Sequence, residues 1–150
     1  MPLWLVFHTP DIFVDNESKQ DFTKDVTSLY TAIGLPAFYV IVNFFPMSPG
    51  MCWKGGEIPE KPFVRMAIDH IAVRLDTDID TYRRTTAKVE SIIKPHIGDK
   101  GYDYEYHIGE TERELWRING FIPPPWHSKA EKTWFRLNKA VPYETDEHGK

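Results

Sequence analysis

Four short segments of the chain, at positions 3–7, 38–45, 63–68 and 102–108, are dominated by apolar and aromatic residues. Their lengths and β-branched or aromatic content are typical of β-strands. In the last segment tyrosines alternate with Asp103, Glu105 and His107, which predicts a strand with one wet face. Segment 38–45 is apolar at almost every position, which indicates a strand covered on both faces.

Two longer segments place apolar residues at helical spacing. We predict a first helix that is capped by Asp15 or Asn16 and ends before Gly34 and Pro36. A second helix is predicted to follow the capping-box sequence 77–80 and to end at Pro95. The expected buried faces are Phe22, Val26, Leu29, Tyr30 and Ile33 in the first helix, and Tyr82, Thr86, Val89, Ile92 and Ile93 in the second.

The order strand–helix–strand, loop, strand–helix–strand indicates an α+β fold built from two consecutive β-α-β units. We expect a single domain over residues 1–150, with units at 1–45 and 63–108, a loop at 46–62 and a C-terminal extension at 109–150. The units are predicted to form a four-stranded sheet with both helices on one face. In the extension a third helix should begin at Ser128, with Trp134 and Leu137 facing inward.

The bare sheet face of such a fold needs a cover, which favours self-association. The chain has 150 residues and a net charge of −4, without a basic stripe, so nucleic acid is not an expected partner. No apolar run approaches the ~20 residues of a membrane span. With a single cysteine and no positively charged start, the sequence is typical of a cytoplasmic protein.

Pro2 directly follows Met1, and methionine is normally removed when the next residue is this small. The chain would then begin with a free secondary amine. An α-amino group titrates at about 7.7–8.0, so an amine at the mouth of a cavity can act as a base, an acid or a nucleophile near neutral pH.

Several local sequences are distinctive: Pro-Leu-Trp at 2–4, Gly-Leu-Pro-Ala-Phe-Tyr-Val at 34–40, Gly-Gly at 55–56, and the segments 102–107 and 114–123. With the two β-α-β units, they resemble the tautomerase superfamily and within it the cis-3-chloroacrylic acid dehalogenase-like branch, including fungal-type members. The resemblance covers most of the chain. It implies homotrimers, an amino-terminal proline in a pocket near a subunit boundary, arginines that bind a small carboxylic acid, and no metal or organic cofactor.

Matched position by position, the resemblance assigns catalytic roles to Pro2 and Tyr106 and a carboxylate-binding role to Arg74. His70, or its neighbour Asp69, takes the place of a second arginine. Tyr30 replaces a histidine, and Arg117 replaces the glutamate that activates water, with Glu114 one helical turn earlier. These last three departures argue against haloacrylate dehalogenation more than against chemistry based on proline.

Three functions follow as hypotheses. The first is keto–enol tautomerisation of a small 2-oxo acid by the Pro2 amine, with Arg74 and Arg117 as cationic neighbours. The second is hydration, dehalogenation or decarboxylation of an unsaturated or β-keto acid, with Pro2 as the acid and Glu114 or Tyr106 handling water. The third is a non-catalytic trimeric binding protein. A plainer interpretation of Glu114 and Arg117 is a helical ion pair.

Overall fold

The computed structural model describes residues 1–71, 75 and 78–144, which form one four-stranded sheet with three helices. The strands are β1 (Pro2–His8), β2 (Ile41–Pro46), β3 (Phe63–Ile71) and β4 (Asp103–Thr111), and the helices are α1 (Asn16–Thr31), α2 (Ile79–His96) and α3 (Lys129–Leu137). The predicted α+β fold with two β-α-β units is therefore confirmed.

The strands lie in the order β2-β1-β3-β4. β1 pairs with β2 in parallel, β3 pairs with β4 in parallel, and β1 and β3 meet in the middle as an antiparallel pair. Each unit thus supplies two neighbouring parallel strands, and the start of each central strand lies beside the end of the other. Pro2 pairs with His70 at one end of this central pair.

Local signals define the helix starts. The Asp15 carboxylate accepts a hydrogen bond of 2.7 Å from the Ser18 amide at the start of α1, and Asp78 accepts one of 2.9 Å from Thr81 at the start of α2. The expected capping-box residue Thr77 is outside the described residues. Pro95 does not end α2 but lies in its last turn.

The core lies between the helices and one face of the sheet. Successive strand side chains point to opposite faces, so the even-numbered residues of β1 and β3 share the helix side. They are buried there with residues of α1 and α2; the members of this core include Trp4, Val6, Val64, Met66, Ile68, Phe22, Val26, Val89 and Ile93. Phe22, Val26, Tyr30, Val89 and Ile93 of the predicted helix faces are buried as expected. The prediction is wrong for Ile33, Tyr82 and Thr86, which are exposed. Ile33 lies beyond the end of α1, and Tyr82 and Thr86 line an open cavity beside β4.

The other sheet face is only partly covered in the single chain. Phe7 stacks on Phe45 with ring centroids 4.9 Å apart, and Ile41 and Phe45 of the edge strand β2 are 40% and 41% exposed. The expectation that both faces of this strand are covered is wrong for one chain, because β2 lies at the edge of the sheet.

The C-terminal extension folds back onto the core through α3. Trp134 is fully buried against Tyr39, Phe38 and Tyr143, as predicted, and its ring nitrogen donates to the Val141 carbonyl at 2.8 Å. Leu137, which was also expected to face inward, is 44% exposed. It is the last residue of α3, and Asn138 turns the chain away in a left-handed conformation. No helix of the described chain has the length and apolarity needed to cross a bilayer.

Candidate active site

Pro2 is buried at the first position of β1, directly opposite His70 near the end of β3. Met1 continues the strand pairing beyond it. The Met1 amine donates to the Ile71 carbonyl, and the Met1 carbonyl accepts a bond of 2.7 Å from the Ile71 amide. The nitrogen of Pro2 is therefore held in a fixed position by the central strands of the sheet.

Pro2 and Met1 open onto a cavity of about 440 Å³ between α1, α2 and the end of the sheet. The walls are mostly apolar, and the polar groups are few. The lining residues are Met1, Pro2, Leu29, Tyr30, Ala32, Ile33, Leu35, His70, Leu75, Thr85, Lys88, Val89 and Trp126. Concave, largely apolar spaces with a few convergent polar groups are typical of small-molecule sites. The fold thus brings Pro2, Tyr30 and His70 together in one such space.

The Tyr30 hydroxyl forms a buried bridge between Trp4 and His70. The Trp4 ring nitrogen donates to this hydroxyl at 3.0 Å, and the hydroxyl lies 3.0 Å from Nε2 of His70. Because an indole N–H can only donate, the tyrosine oxygen accepts from Trp4 and its own proton is free to go to His70. A neutral imidazole protonated at Nδ1 satisfies all three groups.

Burial dominates the electrostatics of the cavity. It lowers the pKa of the Met1 amine from 8.0 to about 5, and the negative charge of Glu131 opposes this shift. Burial, followed by the nearby positive amine, lowers the pKa of His70, and burial raises the pKa of Tyr30 to about 12. These shifts all favour the uncharged forms, as expected where charge is poorly solvated.

Glu131, in the first turn of α3, is an acidic neighbour of the amino terminus. Its carboxylate is buried and accepts a bond of 2.6 Å from the His127 amide, while its own amide donates to Ser128. Burial raises the pKa of Glu131, and the positive amine of the chain acts in the opposite direction. Only the folding of α3 onto the sheet brings this carboxylate near residue 1, so no local signal marks it.

Tyr106 lines a second cavity of about 460 Å³ that shares Leu75 and Thr85 with the first. Its hydroxyl lies 3.4 Å from the Thr86 carbonyl, and burial raises its pKa. Tyr106 therefore lies beside the Pro2 cavity rather than in its wall. Its catalytic role stays a prediction.

Glu114 and Arg117 lie on the C-terminal extension and do not line the Pro2 cavity within one chain. The Glu114 carboxylate pairs with Arg113 at 2.7 Å, and the Arg117 guanidinium donates to the Glu114 backbone carbonyl at 2.8 Å. The contact between Glu114 and Arg117 is therefore to the backbone and not the expected ion pair. Their site roles stay predictions.

The remaining predicted residues divide clearly. Arg74 is outside the described residues. Asp69 precedes His70 in β3, and its side chain points to the opposite face of the sheet because strand side chains alternate. His70, rather than Asp69, therefore faces the cavity. Over residues 1–71, 75 and 78–144 no three His, Cys, Asp or Glu side chains are grouped to hold a metal ion.

Two β-α-β units that share a mixed four-stranded sheet, with a proline at the start of the first strand, define a tautomerase-type fold. The sequence profile of the family described as "Putative oxalocrotonate tautomerase enzyme" matches residues 1–139, so the chain belongs to this family. The resemblance to the tautomerase superfamily that the sequence suggested is confirmed.

Among solved structures the chain is similar to RhCC from Rhodococcus jostii RHA1, with 36% identity, a TM-score of 0.87 and coverage of 94% of this chain and 99% of that one. A probable enzyme from the thermophilic fungus Aspergillus fumigatus has 36% identity and a TM-score of 0.86, with coverage of 95% and 98%.

A member of the cis-3-chloroacrylic acid dehalogenase family has 20% identity and a TM-score of 0.59, with coverage of 93% and 92%, and shares the fold. No protein with a curated description matches the sequence.

Proposed function

We propose that this chain is a cofactor-independent enzyme that uses the Pro2 amine, freed by removal of Met1, as the base in keto–enol tautomerisation of a small 2-oxo carboxylic acid or its enol. One observation carries the proposal. Pro2 starts one of the two central strands, pairs with His70 and lines a mostly apolar cavity together with Tyr30. Membership of the tautomerase family supports the same assignment.

Removal of Met1 would expose more than an amine. The Ile71 amide, which now donates to the Met1 carbonyl at 2.7 Å, would lose its partner. The Met1 carbonyl oxygen is thus a stand-in for a substrate oxygen held next to the Pro2 nitrogen. A substrate oxygen in the cavity could then accept from the Ile71 amide in place of water.

Burial supports a basic rather than an acidic role for the amine. Burial lowers the pKa of the Met1 amine, and Pro2 is buried in the same cavity, so we expect burial to lower the pKa of the Pro2 amine as well. The amine can then take the hydroxyl proton of an enol and return it to the adjacent carbon. The new carbonyl oxygen stays on the Ile71 amide, so the proton is conserved and no cofactor is required.

Hydration or dehalogenation has less support. These reactions need a group that activates water next to the substrate, and Glu114 lies outside the cavity of its own chain. The partly exposed sheet face at Phe7 and Phe45, and the open edge of β2, support assembly into the homotrimer that the resemblance implies. Neighbouring subunits could then complete the rim of the cavity.

A chain with a removable N-terminal extension tests the proposal. The extended protein keeps every side chain but has an amide at Pro2, and cleavage that leaves Pro2 first restores the amine. We expect the enol of a 2-oxo acid to be ketonised, measured by loss of its ultraviolet absorbance, only after cleavage. The rate should fall on the acid side with a pKa below about 7. Equal activity before and after cleavage would rule out the Pro2 amine as the catalytic base.

A further inference from the structure

Lys88 is the one cationic side chain among the described residues that line the Pro2 cavity. It lies on α2 and is exposed, and within the described chain its ammonium group has no ion pair with a carboxylate. By contrast, Lys94 on the same helix lies 3.9 Å from Asp99. An unpaired cation beside an otherwise apolar space is available to bind an anionic group of a ligand.

The helix geometry fixes where this cation stands. Lys88 and Val89 lie three and four residues after Thr85, so both neighbour Thr85 on the surface of α2. Val89 is buried and holds this part of α2 toward the sheet. Thr85 and Lys88 therefore both line the Pro2 cavity from α2, where Thr85 offers a neutral donor and Lys88 a charged one.

The remaining walls of the cavity indicate the chemistry of the part of the ligand that does not carry the anionic group. Leu29, Ile33, Leu35 and Trp126 line it, and apolar walls favour an apolar substituent through its removal from water. A volume of about 440 Å³ is more than the smallest 2-oxo acids fill.

We propose that Lys88, with Thr85, binds the carboxylate of the substrate, and that the apolar walls select a 2-oxo acid with an aryl or branched alkyl substituent. This inference rests on the proposed function, because it names the substrate class and a specificity-determining residue of that site. It does not use the Arg74 position, to which the resemblance assigned carboxylate binding.

The test compares wild type with Lys88→Gln, Lys88→Arg and the matched control Lys94→Gln. Binding of 4-methyl-2-oxopentanoate and of its methyl ester is measured by calorimetry on the chain that begins at Pro2. Steady-state ketonisation of an aryl-substituted enol acid and its ester is measured in parallel. Because Lys88 is exposed, its ion pair with a carboxylate predicts a Kd and KM for the acids that are about two- to fivefold higher in Lys88→Gln.

We expect kcat in Lys88→Gln to change little, the ester to be unaffected, Lys88→Arg to recover most of the affinity and Lys94→Gln to match wild type. Unchanged acid binding in Lys88→Gln, or an equal loss for acid and ester, overturns the inference, even if ketonisation still depends on the Pro2 amine. If ketonisation is absent while acid binding depends on Lys88, the proposed function fails and the binding role stands.

Discussion

The buried hydroxyl of Tyr30 offers a sharp test of the site architecture through Tyr30→Phe. The substitution removes one oxygen and leaves the ring in place. Trp4 is fully buried, so its ring N–H would lose the acceptor at 3.0 Å without access to water. A stranded buried donor costs about 1–3 kcal/mol, and the lost bond to His70 adds about 0.5–1.5 kcal/mol. Because His70 lines the cavity, water can replace part of that second bond.

We therefore expect Tyr30→Phe to lower the free energy of unfolding by about 2–3 kcal/mol. For a chain of 150 residues this corresponds to a decrease in Tm of about 5–10 °C. Urea unfolding followed by tryptophan fluorescence, at equal chain concentrations, measures the difference. The matched control is Tyr82→Phe, which removes the hydroxyl of an exposed tyrosine and should cost less than about 0.5 kcal/mol. A Tyr30→Phe protein as stable as this control would refute the buried bridge.

Three further outcomes are expected. Burial lowers the pKa of His8 and of His70, so below about pH 6.5 the unfolded chain binds protons that the folded chain does not, and stability should fall as the pH drops toward the lowered values. His8→Phe should flatten the change in urea midpoint between about pH 7.5 and about pH 5.5, and an unchanged slope would exclude His8 as a cause. Trp134→Ala should destabilise the fold by about 3–5 kcal/mol, because it empties a fully buried aromatic site; a loss below about 1 kcal/mol by urea unfolding would contradict this packing. Lys54→Met should change stability by less than about 1 kcal/mol in the same assay, because its 3.2 Å ion pair with Asp103 is exposed to solvent.

The elements of the fold could be predicted because their signals are local. The Asp15 cap and the alternation in β4 depend on residues a few positions apart, and both occur where expected. The prediction that both faces of β2 are covered was wrong, because a continuous apolar sequence does not distinguish a strand buried within its own chain from one at an open edge. Leu137 was misplaced because helical spacing does not show where the helix ends.

The site was harder to predict from the sequence than the fold, because it depends on contacts between distant parts of the chain. The Tyr30–His70 bond spans 40 positions, and the proximity of Glu131 to the amino terminus spans most of the chain. Sequence alone cannot distinguish Lys88 from Lys94, since both are lysines on the same helix. The resemblance nominated Pro2, Tyr30 and His70, but only the register of β1 with β3 puts the proline and the histidine opposite each other.

The antiparallel meeting of β1 and β3 gives this duplicated architecture two corresponding corners. At one corner Pro2 faces His70; at the other Phe63 begins β3 and exchanges bonds of 3.1 Å with the amide and hydroxyl of Thr9. The Phe63 nitrogen is joined to Pro62 by a peptide bond and remains an amide whatever happens to Met1. Removal of Met1 therefore frees an amine at Pro2 and none at Phe63. The two β-α-β units differ in this respect because of where the chain is covalently continuous, although they repeat the same fold.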